Sequence, residues 1–340
     1  MGPSAIQATT AGRFSLVYLD EHHEDDFALD VRRGLTASPK NLPPKYFYDD
    51  LGSVLFEGIC RLPEYYVSRA EEEILSSYGN DIVESFGTPI RLIELGSGTS
   101  RKTRLLLDRL TRRQPTLEYV AVDIDGELLQ QTAQTLSEIY PSLVIRAVVT
   151  DFRQIARILS KDEDAEPARR NVVLFLGSTI GNLDRDEQSD LLRAVRKPLR
   201  AGDMLFLGAD QKKATSVLEP AYDDALGVTA AFNLNLLVRI NRELGGRFDL
   251  SNFRHRAFFN EPESRIEMHI VSRIDQRVRI EALDMEIAFG AGETVHTENS
   301  YKFDEAAIAA LARQSSFGVE RQWTDSRRFF ADTLLVARTV

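Results

Sequence analysis

Between residues 91 and 208 the chain alternates short apolar runs with longer stretches of helical period. The runs are RLIELG (91–96), YVAVDID (119–125), LVIRAVV (143–149), NVVLFLG (171–177) and DMLFLG (203–208). They are rich in Val, Ile, Leu and Phe and lack polar alternation, the pattern of strands covered on both faces. Between them, residues 102–113 and 126–140 read as helices, the second with Leu128, Leu129, Thr132, Leu136 and Ile139 on one stripe. Strands alternating with helices predict βαβ units and a parallel sheet.

After Asp210 the rhythm changes. Residues 216–244 read as one helical stretch. The segments at 254–260, 265–274, 277–289 and 296–303 then alternate as antiparallel strands do. A helix at 303–316 precedes two further strands (319–325, 333–339) that would close the parallel sheet, the last inserted antiparallel. Residues 211–302 are therefore expected to interrupt the sheet-forming chain. The aromatic, proline-containing first seventy residues look irregular and are expected to join that insertion. The predicted division is a flexible tail at 1–14, a discontinuous α+β substrate-binding domain of 15–68 plus 213–302, and a sheet domain of 69–212 plus 303–340. The active site would lie between the two domains. The charged stretch 160–170 reads as a solvated loop.

Composition narrows the functional classes. Forty-two basic against fifty-two acidic residues leave a formal charge of −10, which disfavours nucleic acid and anionic membrane as partners. The single cysteine, Cys60, excludes an internal disulfide and a thiolate-rich zinc site. No signal peptide or membrane span is evident, so a cytoplasmic protein is expected.

Three elements carry candidate cofactor chemistry. Glu94-Leu95-Gly96-Ser97-Gly98-Thr99 ends the first strand of the parallel series, where two glycines allow a sharp turn and close ligand approach. The third glycine of the dinucleotide fingerprint is replaced by Thr99-Ser100, which counts against a nicotinamide enzyme. The second strand ends in Asp123, placed to take ribose hydroxyls. Thr150-Asp151-Phe152 follows the third, offering a carboxylate and a ring to an adenine. In that order the elements resemble the S-adenosylmethionine-dependent methyltransferases, whose class I Rossmann-like α/β sheet is thereby expected. A plain Rossmann sheet whose acids only cap helices is the bland alternative.

Further blocks are more specific: LPPKYFYD (42–49), RLPEYY (61–66), FLGSTIGN (175–182), AYDD (221–224) and TENSYKF (297–303). Together they are similar to the histidine Nα-methyltransferases of ergothioneine biosynthesis, from about residue 30 to the C-terminus. The resemblance implies three methyl transfers from S-adenosylmethionine to the α-amine of L-histidine, giving hercynine. It places cofactor contacts on Gly96, Lys102, Asp123, Asp151 and Phe152, which Gly98 of the glycine turn joins as a further cofactor candidate. It places amino-acid contacts on Tyr65, Gly177, Asn182, Tyr222, Glu298 and Ser300, with Met268 lining the side-chain pocket.

The residue types agree with that assignment. The Asn182 amide and Tyr222 hydroxyl can donate to an α-carboxylate, while Glu298 accepts an imidazole N–H. Ser300, two residues on, shares the Glu298 face of a strand. Tyr65 would complete that ring of hydrogen bonds. An indole would satisfy only the acceptor, which argues against tryptophan, the alternative substrate; a catalytically silent cofactor-binding regulator is the other alternative. Tyr48 is a candidate for the proton path from the amine. Taken singly, Tyr222, Glu298, Met268 and Lys102 would each pass for ordinary core or surface residues. The five histidines (22, 23, 255, 269, 296) show no ligand spacing, His22-His23 reads as part of a solvated acidic face, and no metal is expected. A monomer is expected.

Overall fold

The computed structural model describes residues 7–11, 14–19, 24–160 and 169–339. His22-His23 and all but the ends of the 160–170 stretch lie outside them. The strands are β1 (Gln7–Ala11), β2 (Phe14–Tyr18), β3 (Lys40–Asn41), β4 (Ile90–Leu95), β5 (Leu117–Asp123), β6 (Leu143–Val149), β7 (Arg170–Phe175), β8 (Met204–Asp210), β9 (Phe253–Asn260), β10 (Arg265–Ser272), β11 (Gln276–Ile280), β12 (Met285–Phe289), β13 (Thr294–Tyr301), β14 (Phe317–Thr324) and β15 (Phe330–Ala337). The chain divides into two compact units, one of residues 1–21, 67–211 and 303–340, the other of 22–66 and 212–302.

The first unit holds a nine-stranded sheet in the order β1-β2-β6-β5-β4-β7-β8-β15-β14. Strands β2 and β4 to β8 run parallel, β15 lies antiparallel to β8, and β14 antiparallel to β15. All of β4 and β8 is buried, as the unbroken apolar runs require. Strand order turns outward in both directions from β4, so the crevice at the carboxyl ends of β4 and β7 is the topological switch point. The helix Gly126–Ile139 buries Leu129, Thr132, Ala133 and Leu136. Its stripe continues into Tyr140, while Ile139, expected on it, is 47% exposed.

Residues 7–18 differ from expectation. Instead of a tail and the start of the substrate domain, β1 and β2 form an antiparallel pair, with β2 parallel to β6. Five residues of Phe-Ser-Leu-Val-Tyr, with Leu16 buried, suffice to extend a sheet whose edge would otherwise be β6.

The second unit has a four-stranded sheet, β3-β13-β10-β9, and the hairpin β11-β12. The supposedly irregular N-terminal part is largely helical: Glu24–Thr36, a 3-10 turn Pro44–Phe47, and Asp50–Ile59 capped by Asp49. Gly52 is required there, since a Cβ would sit 1.7 Å from the Phe47 carbonyl oxygen. Nor is 216–244 one helix. A short helix Thr215–Leu218 passes into a 3-10 turn containing Pro220. The chain then breaks through Tyr222 to Gly227, at φ +74°, before the helix Val228–Leu244. Tyr222 therefore stands in a turn, outside any helical stripe.

Candidate functional site

In the sheet unit the expected cofactor residues gather at the carboxyl ends of β4, β5 and β6. Gly96 (φ +69°) and Gly98 (φ +48°) adopt backbone angles that a side chain resists. A Cβ at either would meet no atom within 4 Å, so conformation makes them glycine and the space before them is open. Glu94 ties this turn down. Its carboxyl accepts from Thr103 Oγ1 at 2.6 Å and from the Tyr119 hydroxyl, which also bonds Ser100 Oγ at 2.8 Å. Burial pushes Glu94 up to about 7, against the lowering effect of those hydrogen bonds.

Asp123 Oδ2 accepts from the Gly98 N–H at 2.7 Å and Oδ1 from the Asp125 N–H at 3.1 Å. Burial nevertheless raises its pKa. Each carboxylate oxygen has a second lone pair, so Asp123 can hold the glycine turn and still accept from a diol. Asp151 caps the 3-10 turn Phe152–Gln154 through the Arg153 N–H at 2.9 Å. The Phe152 ring lies 5.3 Å from that of Phe175. An open crevice, glycine backbone and carboxylates at successive strand ends fit an adenosyl cofactor.

Lys102 is no ordinary surface lysine: it is ion-paired with fully buried Glu71. Glu71 also accepts the Gly177 N–H, at 2.8 and 3.0 Å to its two oxygens. Gly177 (φ +74°) and Ser178 (φ +58°) begin the loop to the turn Thr179–Asn182, and Ser178 Oγ accepts the Asp210 N–H at 2.9 Å. Buried Asp332 has its pKa pushed well up by burial and by Glu71. Sequence reading missed Glu71 because it stands in a run of three glutamates on a helix, the usual look of a solvated face.

In the second unit four separated segments bring the expected side-chain residues together. Met268 on β10 pairs directly with Glu298 on β13. Tyr65 and Tyr222 meet edge to face with ring centroids 6.1 Å apart, and Tyr222 Oη lies 2.7 Å from Ser300 Oγ. Tyr65, Tyr222, Met268, Glu298 and Ser300 are all buried. Burial pushes Glu298 up to about 7, with Lys302 pulling the other way, and raises Tyr65 well above the ordinary phenol. Tyr48 packs by its edge on Phe56, which in turn meets Tyr65. Gly177 and Asn182 belong to the sheet unit. Lys302 was not anticipated, although it follows Glu298 and Ser300 at a two-residue spacing; it is buried and donates to both Tyr222 and Ser300.

The same two strands explain a second group. The register shifts between Met268 and His269, so that Thr297 is passed over and His296 pairs with His269. This bulge re-aims His296 toward the face of Glu267 and His269, opposite that of Met268 and Glu298. One potential ligand atom from each of the three lies within 4.8 Å of the others, a proximity that histidine spacing did not reveal. Arg265 and Asn260 already donate three bonds to Glu267 Oε1, and His269 Nε2 lies 3.1 Å from Oε2. Those partners hold Glu267 down to about 2, and the group is built as an ion-pair network.

Residues 27–337 match the family described as histidine-specific methyltransferase, SAM-dependent. The chain is 44% identical over 308 residues to the histidine N-alpha-methyltransferase of Mycolicibacterium smegmatis, covering 90% of this chain and 94% of that protein. It is 43% identical over 305 residues to the enzyme of the same name from Mycobacterium tuberculosis, covering 90% and 93%. An L-tryptophan methyltransferase of Psilocybe serbica is 27% identical over 319 residues, with 87% and 89% covered.

Proposed function

The chain belongs to the SAM-dependent, histidine-specific methyltransferases, and from that premise we propose that it methylates the α-amine of L-histidine three times to give hercynine. It is a histidine methyltransferase, and the step serves ergothioneine biosynthesis, as the name of its Schizosaccharomyces pombe relative, ergothioneine biosynthesis protein 1, supports. The observation that carries the substrate reading is the buried set Glu298, Ser300 and Tyr65 walled by Met268, with Tyr222 bonded to Ser300. One carboxylate acceptor beside hydroxyl donors complements neutral imidazole, which presents one N–H and one lone pair. A phenyl ring would offer Glu298 no N–H and the hydroxyl cluster no ring acceptor, and an indole would offer only the N–H.

S-adenosylmethionine, when bound, supplies a methyl carbon attached to a sulfonium leaving group. The residues have to place the nitrogen lone pair in line with that carbon, so orientation dominates. The amine must shed one proton before each round so that its lone pair can face that carbon; the donor would then give up the methyl and leave as its neutral thioether. Glu298 and Ser300 hold the imidazole, Met268 walls it, Tyr222 and Asn182 are assigned the α-carboxylate, and Tyr65 closes the hydrogen-bonded ring. Gly96, Gly98, Lys102, Asp123, Asp151 and Phe152 are assigned the cofactor, and Gly177 the amino-acid backbone. Tyr48, on the aromatic cluster that includes Tyr65, is assigned to the proton path. No metal takes part in this scheme.

The protein is further proposed to be a cytoplasmic monomer without nucleic-acid or membrane partners. Its net charge of −10 supports the exclusion of polyanions, and no helix among the described residues is long and apolar enough to cross a membrane. The test is mass spectrometry after incubating purified protein with S-adenosylmethionine and an equimolar mixture of the proteinogenic amino acids. Histidine gaining three methyl groups while the rest stay unmodified is the expected result. Methylated tryptophan instead would overturn the reading of Glu298 and Ser300.

A further inference from the structure

We propose that Lys302 is a positioning residue that sets the side-chain specificity of the pocket, by fixing which way the Tyr222 and Ser300 hydroxyls can donate. The inference rests on the histidine reading above. Lys302 Nζ lies 2.9 Å from Tyr222 Oη and 2.8 Å from Ser300 Oγ, which are 2.7 Å from each other. The three atoms form a closed triangle, and Lys302 and Ser300 are each 3% exposed.

An ammonium has only donors, so both hydroxyls must accept from it. On the remaining edge one hydroxyl donates to the other. That receiving hydroxyl now has both lone pairs filled, one by Lys302 and one by its neighbour, and its own proton has to point out of the triangle. The cluster thus offers an outward hydroxyl donor whose oxygen can no longer accept. Without Lys302 the same two hydroxyls would each keep spare lone pairs and could turn to accept as easily as to donate.

Glu298 lies on the same strand face, two residues before Ser300 and four before Lys302. With Glu298 as acceptor and the triangle as donor, the pocket matches a ring that carries one N–H and one bare nitrogen. The ammonium charge acts in the same sense. It favours the carboxylate form of Glu298 and disfavours a second proton on a bound imidazole. Sequence period alone does not show this, because the partner that completes the triangle, Tyr222, comes from a distant turn.

The experiment is steady-state kinetics of Lys302→Met and Lys302→Arg against wild type, with cofactor affinity measured by calorimetry on each. Lys302→Met should raise the histidine KM by about tenfold or more, the size expected for losing charge-assisted hydrogen bonds. Turnover number and cofactor affinity should stay within about threefold, a change worth under 1 kcal/mol. Lys302→Arg, which keeps the charge and the paired donors, should recover part of the loss. The ratio of histidine to tryptophan kcat/KM should narrow in the Met variant. Unchanged histidine KM in Lys302→Met would overturn the proposal, and so would an equal loss for histidine and cofactor. If the Met variant fails to fold, the same ratios read on Lys302→Gln decide it. Failure of wild type to methylate histidine would instead refute the substrate reading itself.

Discussion

The two expected binding regions are made of different material. At the carboxyl ends of β4 to β6 the fold presents backbone: glycines at positive φ, with Asp123 and Asp151 holding N–H groups of the turns. In the second unit the pocket is all side chains, drawn from segments near 65, 222, 268 and 298–302, with Lys302 and Glu298 buried together. A site built from backbone is set by the strand ends that carry it. A site built from buried polar side chains is set by mutual hydrogen bonding, and each member that is removed strands another. Substitutions in the second should act more sharply and more selectively.

The largest expected effect is at Glu298. Glu298→Ala removes a buried acceptor that faces an N–H, and should raise the histidine KM on the order of a hundredfold while cofactor affinity holds. Equal losses in both would erase the contrast between the regions. The pH dependence sharpens it. Burial raises Glu298 from 4.5 to about 7, with Lys302 and Tyr65 among its ionisable neighbours. Histidine KM should therefore fall as pH rises through 7 and the carboxylate forms. Stability moves oppositely. A folded pKa above the unfolded one means the native state holds the extra proton between 4.5 and 7. Its contribution is complete below 4.5 and is lost as pH rises to 7, about 3 kcal/mol in all. Glu298→Gln, which never ionises, should melt above wild type at pH 8 and lose the KM limb. A wild-type melting curve at that pH would show that Glu298 is not the buried acid described.

Asp123 comes next, on the other side of the comparison. Asp123→Ala deletes the acceptor of the Gly98 and Asp125 N–H groups as well as the acid assigned to the ribose. Cofactor affinity, read by calorimetry, should fall about tenfold or more, with histidine KM at saturating cofactor little changed. Gly98→Ala asks for a smaller penalty, about 1 kcal/mol of backbone strain, since no atom obstructs the new methyl. A lowered melting temperature with cofactor affinity reduced by less than Asp123→Ala is the expected order.

The contrast also accounts for what the sequence disclosed. Buried parallel strands leave unbroken apolar runs, and a glycine turn or an acid at a strand end has a fixed local position, so β4 to β8 and Gly96, Asp123 and Asp151 are legible residue by residue. The pocket has no local signature. Glu298, Met268 and Tyr222 look like edge, core and helix residues, and only family likeness assembles them. Four things escaped both routes. Glu71 and Lys302 act through partners distant in sequence, Tyr66–Phe86 carrying the first to the Gly177 loop and the Thr215–Ala221 turns bringing Tyr222 to the second. The bulge that turns His296 to the face opposite the Glu298 side chain passes over Thr297, whose hydroxyl lies 2.8 Å from Asn233 Oδ1 and 3.0 Å from the Met268 carbonyl oxygen. Strands β1 and β2 were passed over because a short N-terminal run gains its meaning only from the β6 edge it covers.

The smallest effect is expected at Tyr48, and it tests whether the pocket's chemistry extends past binding. Tyr48 is half-buried, and its ring meets Phe56 at 5.6 Å and Phe232 at 5.9 Å, both edge-on. Tyr48→Phe keeps those aromatic contacts and deletes only the hydroxyl, so both affinities should change less than in Glu298→Ala or Asp123→Ala. If that hydroxyl relays the proton shed before each transfer, turnover number falls by about a few-fold, far short of the ~10²–10⁴-fold of a full general base, because solvent can take the proton instead. The loss would be greatest at low pH, where the amine holds its proton most firmly. A turnover number equal to wild type across pH removes Tyr48 from the proton path and leaves solvent as the base. The second region would then be purely a device for holding the amine in line, which is the stronger form of the comparison: backbone places the cofactor, side chains place the substrate, and alignment carries the reaction.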